Sequence, residues 1–259
     1  GSTPDGRLIA MPWDCGAAGL WYRADLFEQA GLPTDPAEVQ ARVTSWEDWF
    51  RLGEELRGKL PETAFFTDAY QDVFYPAVQQ QGGSWFDGSK LLFEERGLTP
   101  IQLSAQARER GLDTTIDWWS PEWANGFKQN AFATMAIACW AQGFLTLEQP
   151  QTVGQWRVIR APGGDYNWGG SFLTIPEQSQ NKEAAWEFVQ FVTATAEGQN
   201  SLFKAEGIYP AYKPAWSDPI YDEPVAFFGG QKTFRLWAEI ADNVPPSQPS
   251  PNDQQANDI

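Results

Sequence analysis

The chain reads as an α/β protein. Three observations lead there. Of its 259 residues 42% are hydrophobic, enough for one large or two modest domains with real cores. Short apolar or alternating runs of strand length recur along it, and amphipathic stretches with helix caps alternate with them.

Taken in order, Arg7–Asp14 reads as a short strand with a polar tip and Gly16–Tyr22 as a second strand, small at one end and aromatic at the other. Ala24–Ala30 is a short helix stopped by Gly31 and Pro33. Ser45 is an N-cap with Asp48 in capping-box relation, and Trp46, Trp49, Leu52 and Leu56 follow at helical spacing, so the two tryptophans read as packing residues. Ala64–Phe66 reads as a buried strand, Val73–Gln81 as a helix ending at Gly82-Gly83, and Ser84–Gly88 as a turn with exposed rings. Thr99–Gly111 is helical by propensity, with Pro100 suited to a first turn. Ser120 caps a helix that has Pro121 at its first position, which leaves Trp118 and Trp119 on the preceding loop; one of them is expected to pack and the other to face ligand.

Ala133–Trp140 reads as a buried strand, and Trp140 at its end is the foremost candidate for a binding residue, because ligands of open α/β sheets gather just outside such strand ends. Gln155–Arg160 alternates as a strand. Asn167–Pro176 then places a tryptophan, Trp168, and two glycines, Gly169 and Gly170, before a short apolar strand, where backbone can approach a ligand closely and a ring can stack on it. Asn181 is expected to cap a helix over Lys182–Glu197 whose apolar face is Ala185, Phe188, Val189 and Val192. Pro245–Pro251 is an extended connector, and Asn252–Ile259 begins a further element.

The formal charge of -16, from 34 acidic against 18 basic residues, disfavours nucleic acid and anionic membrane surfaces as partners. No apolar run is long enough to span a bilayer, and the opening Gly1–Gly6 lacks the apolar stretch of a signal peptide. The absence of histidine removes Ser-His-Asp and Cys-His nucleophile systems and the common His-containing zinc sites. Cys15 and Cys139 are either two buried thiols or one long-range disulfide, and are too few for a tetrathiolate metal site. No metal and no cofactor is expected. Fourteen tryptophans exceed what core packing needs and invite stacking on sugar rings, whose C–H faces are apolar while their rims carry hydroxyls.

Gly6–Asp14 followed by Leu20–Pro33 resembles a segment of the extracellular solute-binding proteins of sugar-type ABC importers, the family that includes maltose- and trehalose-binding proteins. Gly82–Phe86, Phe132–Ile137 with Trp140, Asn167–Pro176 with Asn181–Phe188, and Gly207–Ala211 resemble further blocks of that family in the same order. The resemblance implies a two-lobed, type II periplasmic-binding-protein fold that closes over a sugar, here with the first lobe incomplete at both ends of the chain and therefore exposing apolar surface. On that plan residues 1–17 are an inter-lobe crossing, 18–165 the second lobe, 166–240 the remaining part of the first lobe, and 241–259 a hinge connector returning to the second.

The resemblance further implies a periplasmic or extracellular receptor with no catalytic residue, monomeric, lipid-anchored if at all through a segment outside this one, and partnered by a carbohydrate and by ABC permease subunits. It makes Trp140 a sugar-stacking ring, Asp14 a hydroxyl partner near the hinge, and Gly169 and Gly170 backbone partners beside Trp168, which would face Trp140 across the ligand. Trp13, Trp119 and Trp85 are lesser candidates; hinge packing is the plain alternative for Trp13 and Trp168, core packing for Trp85 and Tyr209, and a turn contact for Asp14. Two other classes stay open: a glycoside hydrolase drawing on Asp14, Asp117, Glu122 or Asp165, and a peptide- or protein-binding module using the same aromatic cleft.

Overall fold

A computed structural model describes residues 1–3, 5–87, 89–246, 250, 252, 253 and 256. Its centre is one strand, β2 (Ala17–Arg23), whose seven residues are all buried. β5 (Thr134–Ala138) pairs antiparallel along one edge, with Ala18 opposite Ala138 and Tyr22 opposite Thr134. On the other edge β6 (Trp156–Ile159) covers Leu20–Arg23 and β7 (Tyr166–Asn167) covers Ala17–Ala18, both antiparallel.

Side chains of a strand alternate between faces, so β2 feeds two cores at once. Ala18, Leu20 and Tyr22 enter one core with Ala136, Ala138 and Ile159. Ala17 and Trp21 enter the other with Met135, Ile137, Trp156 and Val158. The first core is closed by α1 (Ala24–Gln29), α2 (Pro36–Arg42) and α3 (Trp46–Lys59), which supply Phe27, Val39, Trp49 and Phe50. The capping box at Ser45 and Asp48 is formed as the sequence reading has it, and Trp46 and Trp49 are buried. Missed in that reading was α2, which Asp35 caps through Ala37 and Glu38 with Pro36 at its first position.

Phe65 and Phe66 are buried, but Ala64–Phe66 is no strand: it makes only isolated bridges, Ala64 with Phe132 and Phe66 with Asp113. A π-turn at Tyr70–Phe74 leads into α4 (Tyr75–Gln79), so this helical stretch starts earlier than the apolar spacing suggests. Beyond it β3 (Phe86–Asp87) and β4 (Lys90–Leu91) form a hairpin; Gly88 of the expected turn lies outside the described residues.

The polar helix starts six residues before its expected first residue, as α5 (Phe93–Glu109), with Pro100 inside it rather than in its first turn. Proline there removes the N–H owed to the Arg96 carbonyl. The side-chain amide of Gln81 donates to that oxygen instead, at 3.1 Å. α6 (Pro121–Gln129) is capped by Ser120 as read, and α7 (Ala141–Glu148), which the reading did not contain, follows β5 directly.

A separate small layer holds β1 (Met11–Pro12) paired with β8 (Phe172–Leu173), with α8 (Lys182–Ala194) packed against β1 and α9 (Ala196–Glu206) against α8. The single helix expected to Glu197 breaks at Thr195, whose hydroxyl caps α9 by accepting from Gly198 N. Asn181 stands at the start of α8, yet its side chain makes no capping bond. On the expected apolar face Val189 and Val192 are buried while Phe188 is 60% exposed. Leu8, Ile9, Phe172, Trp186 and Phe191 are exposed with it, and Leu8, Met11, Leu173 and Trp186 border a cavity of about 310 Å³. This layer thus presents an apolar surface.

Residues 212–240 correct the expected boundaries. One 3₁₀ turn (Lys213–Ser217) packs on α9 of the small layer, whereas two more (Pro219–Asp222, Ala226–Phe228) and α10 (Phe234–Asn243) give their buried rings to the core on the second face of the β2 sheet. Phe228 meets Trp21 edge to face at 4.8 Å, and Trp237 is buried against the same ring at 6.4 Å. A side chain at Gly19 would come within 2.6 Å of Ile159 O and 3.2 Å of the Trp237 ring, so the bare glycine lets α10 seat. The connector expected over Pro245–Pro251 falls partly outside the described residues, as does most of Asn252–Ile259. Asp253, which is described, accepts from Trp85 N at 2.8 Å and from Ser84 Oγ at 3.1 Å, so this end lies against the 84–86 turn.

Candidate functional site

Three chain segments run side by side between the small layer and the β2 sheet. Trp13 N donates to Ser171 O and Cys15 N to Tyr209 O, both at 2.9 Å, while Trp168 N donates to Gly16 O at 2.7 Å. Asp14 bridges to Pro210, and its carboxylate accepts from Ser171 N. Gly16 is required here by close approach: a Cβ would stand 2.4 Å from Gly169 O.

Where β5 ends above these crossings, rings gather. Trp140 starts the turn into α7, and its indole N–H donates to Trp168 O at 2.9 Å. The two rings meet edge to face with centroids 5.9 Å apart. They therefore touch directly and leave no room for a ligand between them, a correction to the expectation that they face each other across it. Trp119 lies nearly parallel to Trp140 at 6.1 Å and edge-on to Phe144 at 5.5 Å. Tyr75 of α4 touches Trp168 at 5.4 Å, and burial, with Tyr70 nearby, pushes its phenol up to about 12, so it stays a neutral hydroxyl.

Trp118 and Trp119 differ in burial. Trp118 is buried, stacked on Trp123 at 5.7 Å and edge-on to Trp168 at 5.1 Å. Trp119 is 51% exposed and held at φ 69°, a left-handed conformation that bulky residues rarely adopt. Such strain persists only where surrounding structure enforces it and is concentrated at functional sites. The Ser120 cap immediately after it and the ring contacts on both of its sides supply that enforcement.

Of the sequence-selected residues, Trp140, Trp168, Gly169 and Trp119 come together, a Cβ on Gly169 lying 3.7 Å from the Trp140 indole nitrogen. Gly169 and Gly170 are exposed, at φ 85° and 114°. Asp14 and Trp13 sit one step away, in the crossing: Asp14 holds the Ser171 amide, and Trp13 O accepts from Gln199. Trp85 belongs elsewhere. It is buried against Phe74 and Phe93 beside a separate aromatic groove, contrary to both its place among the candidates and its expected exposure on a turn. Phe144, Tyr75 and Gln199 of α9 were not selected from sequence; only the helix α7 that carries Phe144 would have signalled the first.

Two of the four carboxylates considered for hydrolysis have structural partners. Asp165 is ion-paired to Arg160, with burial raising its pKa above the ordinary carboxylate value, and Asp14 is engaged by the Ser171 amide. Among the described residues no group of three or more His, Cys, Asp or Glu could hold a metal ion, and no helix is long and apolar enough to cross a membrane.

The family described as bacterial extracellular solute-binding protein matches residues 1–199. A lactose-binding protein of Rhizobium radiobacter is 26% identical over 257 residues, covering 94% of this chain and 59% of its own length. An arabinooligosaccharide-binding protein of Bacillus subtilis (strain 168) is 23% identical over 265 residues, with the same coverages. The crystal structure of an extracellular solute-binding protein family 1 superposes with a TM-score of 0.87 at 31% identity, over 99% of this chain and 67% of that one. The chain thus spans about 59% of the length of these curated relatives.

Proposed function

The chain belongs to the bacterial extracellular solute-binding protein family, and on that premise we propose that it is a non-catalytic receptor segment that binds a mono- or oligosaccharide, or a sugar-like polyol, on the Trp119–Trp140–Trp168 wall. The observation that carries the reading is Trp119: a half-exposed indole, held at positive φ and backed by Trp140 at 6.1 Å, is a rigid flat face offered to solvent. A pyranose C–H face is the complementary surface. The exposed Gly169–Gly170 backbone stands at the rim, where sugar hydroxyls need partners, and Asp14, one step away, holds the Ser171 amide beside it. Relatives that bind lactose and arabinooligosaccharides support the carbohydrate class.

Each stacked ring contributes about 1 kcal/mol beyond area burial, and each good hydroxyl bond about the same net. Delivery to an ABC permease outside the cytoplasmic membrane, as a monomer, completes the proposal. A hydrolase role finds no support in the placement of Asp14 and Asp165, each committed to a structural partner.

Calorimetry against a panel of mono- and oligosaccharides and polyols tests the reading, with product analysis after long incubation. Saturable heat without turnover is expected; turnover lost on carboxylate substitution overturns it.

A further inference from the structure

The sheet brings the two cysteines together. Cys139 lies opposite Ala17 at the end of the β2–β5 ladder, its N–H donating to Ala17 O at 2.9 Å. Cys15 lies two residues before Ala17 and so points to the same face; both sulfurs border the core that contains Trp21 and Tyr209. The Cys139 thiol donates to Cys15 O at 3.1 Å. Ala17 N donates to that sulfur at 3.4 Å.

We propose that Cys15 and Cys139, free thiols here, are a paired oxidation site that closes into an intramolecular disulfide in the oxidising space outside the cell where the family's proteins work. The oxidant is a small-molecule disulfide. Cys15, the less buried member, attacks as thiolate; one sulfur of the oxidant bonds to it and the other leaves as a thiolate that takes up a proton. Cys139 then loses its proton and attacks the Cys15 sulfur, releasing the second thiol. Two protein thiols are oxidised, and one small disulfide is reduced to two thiols. The roles follow from the surroundings: the bond from Cys139 lowers the Cys15 thiol below its ordinary value, whereas burial raises that of Cys139 well above it.

The link has a structural consequence. It ties residue 15, in the first crossing, to residue 139, next to Trp140, across a sequence separation of 124. A loop of that length strongly restricts the unfolded chain. The crossing and the turn beneath the aromatic wall then move as one piece.

Incubating the folded chain with oxidised glutathione, followed by thiol titration, intact mass and peptide mapping, tests this. The expected result is loss of both thiols, a mass lower by two hydrogens, a cross-linked Cys15–Cys139 peptide, and a melting temperature higher by about 5–10 °C. Cys15→Ser should leave Cys139 unreactive, and Cys139→Ser should trap a stable glutathione adduct on Cys15. Two thiols persisting in the folded chain, or an adduct on wild-type Cys15 that never resolves, overturns the proposal.

Discussion

The indole N–H of Trp140 donates to the main-chain oxygen of Trp168 at 2.9 Å, joining the end of β5 to the second crossing. One residue thereby serves both the architecture and the aromatic wall, and substitutions can separate the two. Trp140→Phe keeps a ring but removes the donor, so stability should fall by about 1 kcal/mol, while sugar affinity drops modestly. Trp140→Ala removes the face too and should weaken sugar binding by roughly tenfold or more. Unchanged calorimetric affinity in the alanine variant would remove Trp140 from the site.

Gly16→Ala is predicted to damage the crossings. The new methyl would lie 2.4 Å from Gly169 O and 2.8 Å from Asn167 Oδ1, while Gly16 O is already bonded to Trp168 N. Relief requires the first two crossings to separate, at a cost of about 1–3 kcal/mol. Chemical denaturation measures the cost, and a shift in tryptophan emission reports the displaced Trp168. A variant as stable as the parent contradicts the close approach.

Asp72 gives a pH signature. Its fully buried carboxyl accepts from Thr67, Asp68 and Ala136, yet burial outweighs these donors and raises its pKa from 3.8 to about 7. The folded chain therefore holds this proton more tightly than the unfolded one. That contribution is complete below the unfolded value and is lost as pH rises through about 7. The stability of the parent minus that of Asp72→Asn should decline across this window, by at most about 1.4 kcal/mol per pH unit. A flat difference in denaturation across the window, or a carboxyl signal titrating near 4, contradicts it.

Local punctuation was legible at two helix starts, though not at Asp35 and Thr195, whose caps are equally local. Ser45 with Asp48, and Ser120 with Pro121, set their helices by bonds to the next turn. Asn181 offers the same residue type but makes no such bond, and Phe188 beside it is exposed. The other illegible features depend on distant partners. Pro100 is tolerated inside α5 because Gln81, from another element, serves the orphaned Arg96 carbonyl. Residues 226–240 pack on the β2 sheet because Phe228 and Trp237 find Trp21, which no periodicity encodes. The site shows the same division: Trp118 and Trp119 are one residue apart on a loop, and only tertiary packing decides which is buried.

The conformation of Trp119 yields the sharpest test of the wall. Its φ of 69° lies where a Cβ is disfavoured by roughly 1–2 kcal/mol. At an ordinary loop position glycine destabilises relative to alanine, because it frees the unfolded chain. Here the order should reverse, with Trp119→Gly more stable than Trp119→Ala by about 1 kcal/mol. Both variants lose the half-exposed ring that lies parallel to Trp140, so both should lose sugar affinity to the same degree. Denaturation and calorimetry on the same two proteins read the two effects separately. An alanine variant at least as stable as the glycine one contradicts the enforced backbone. Full affinity in either variant moves the sugar off this ring.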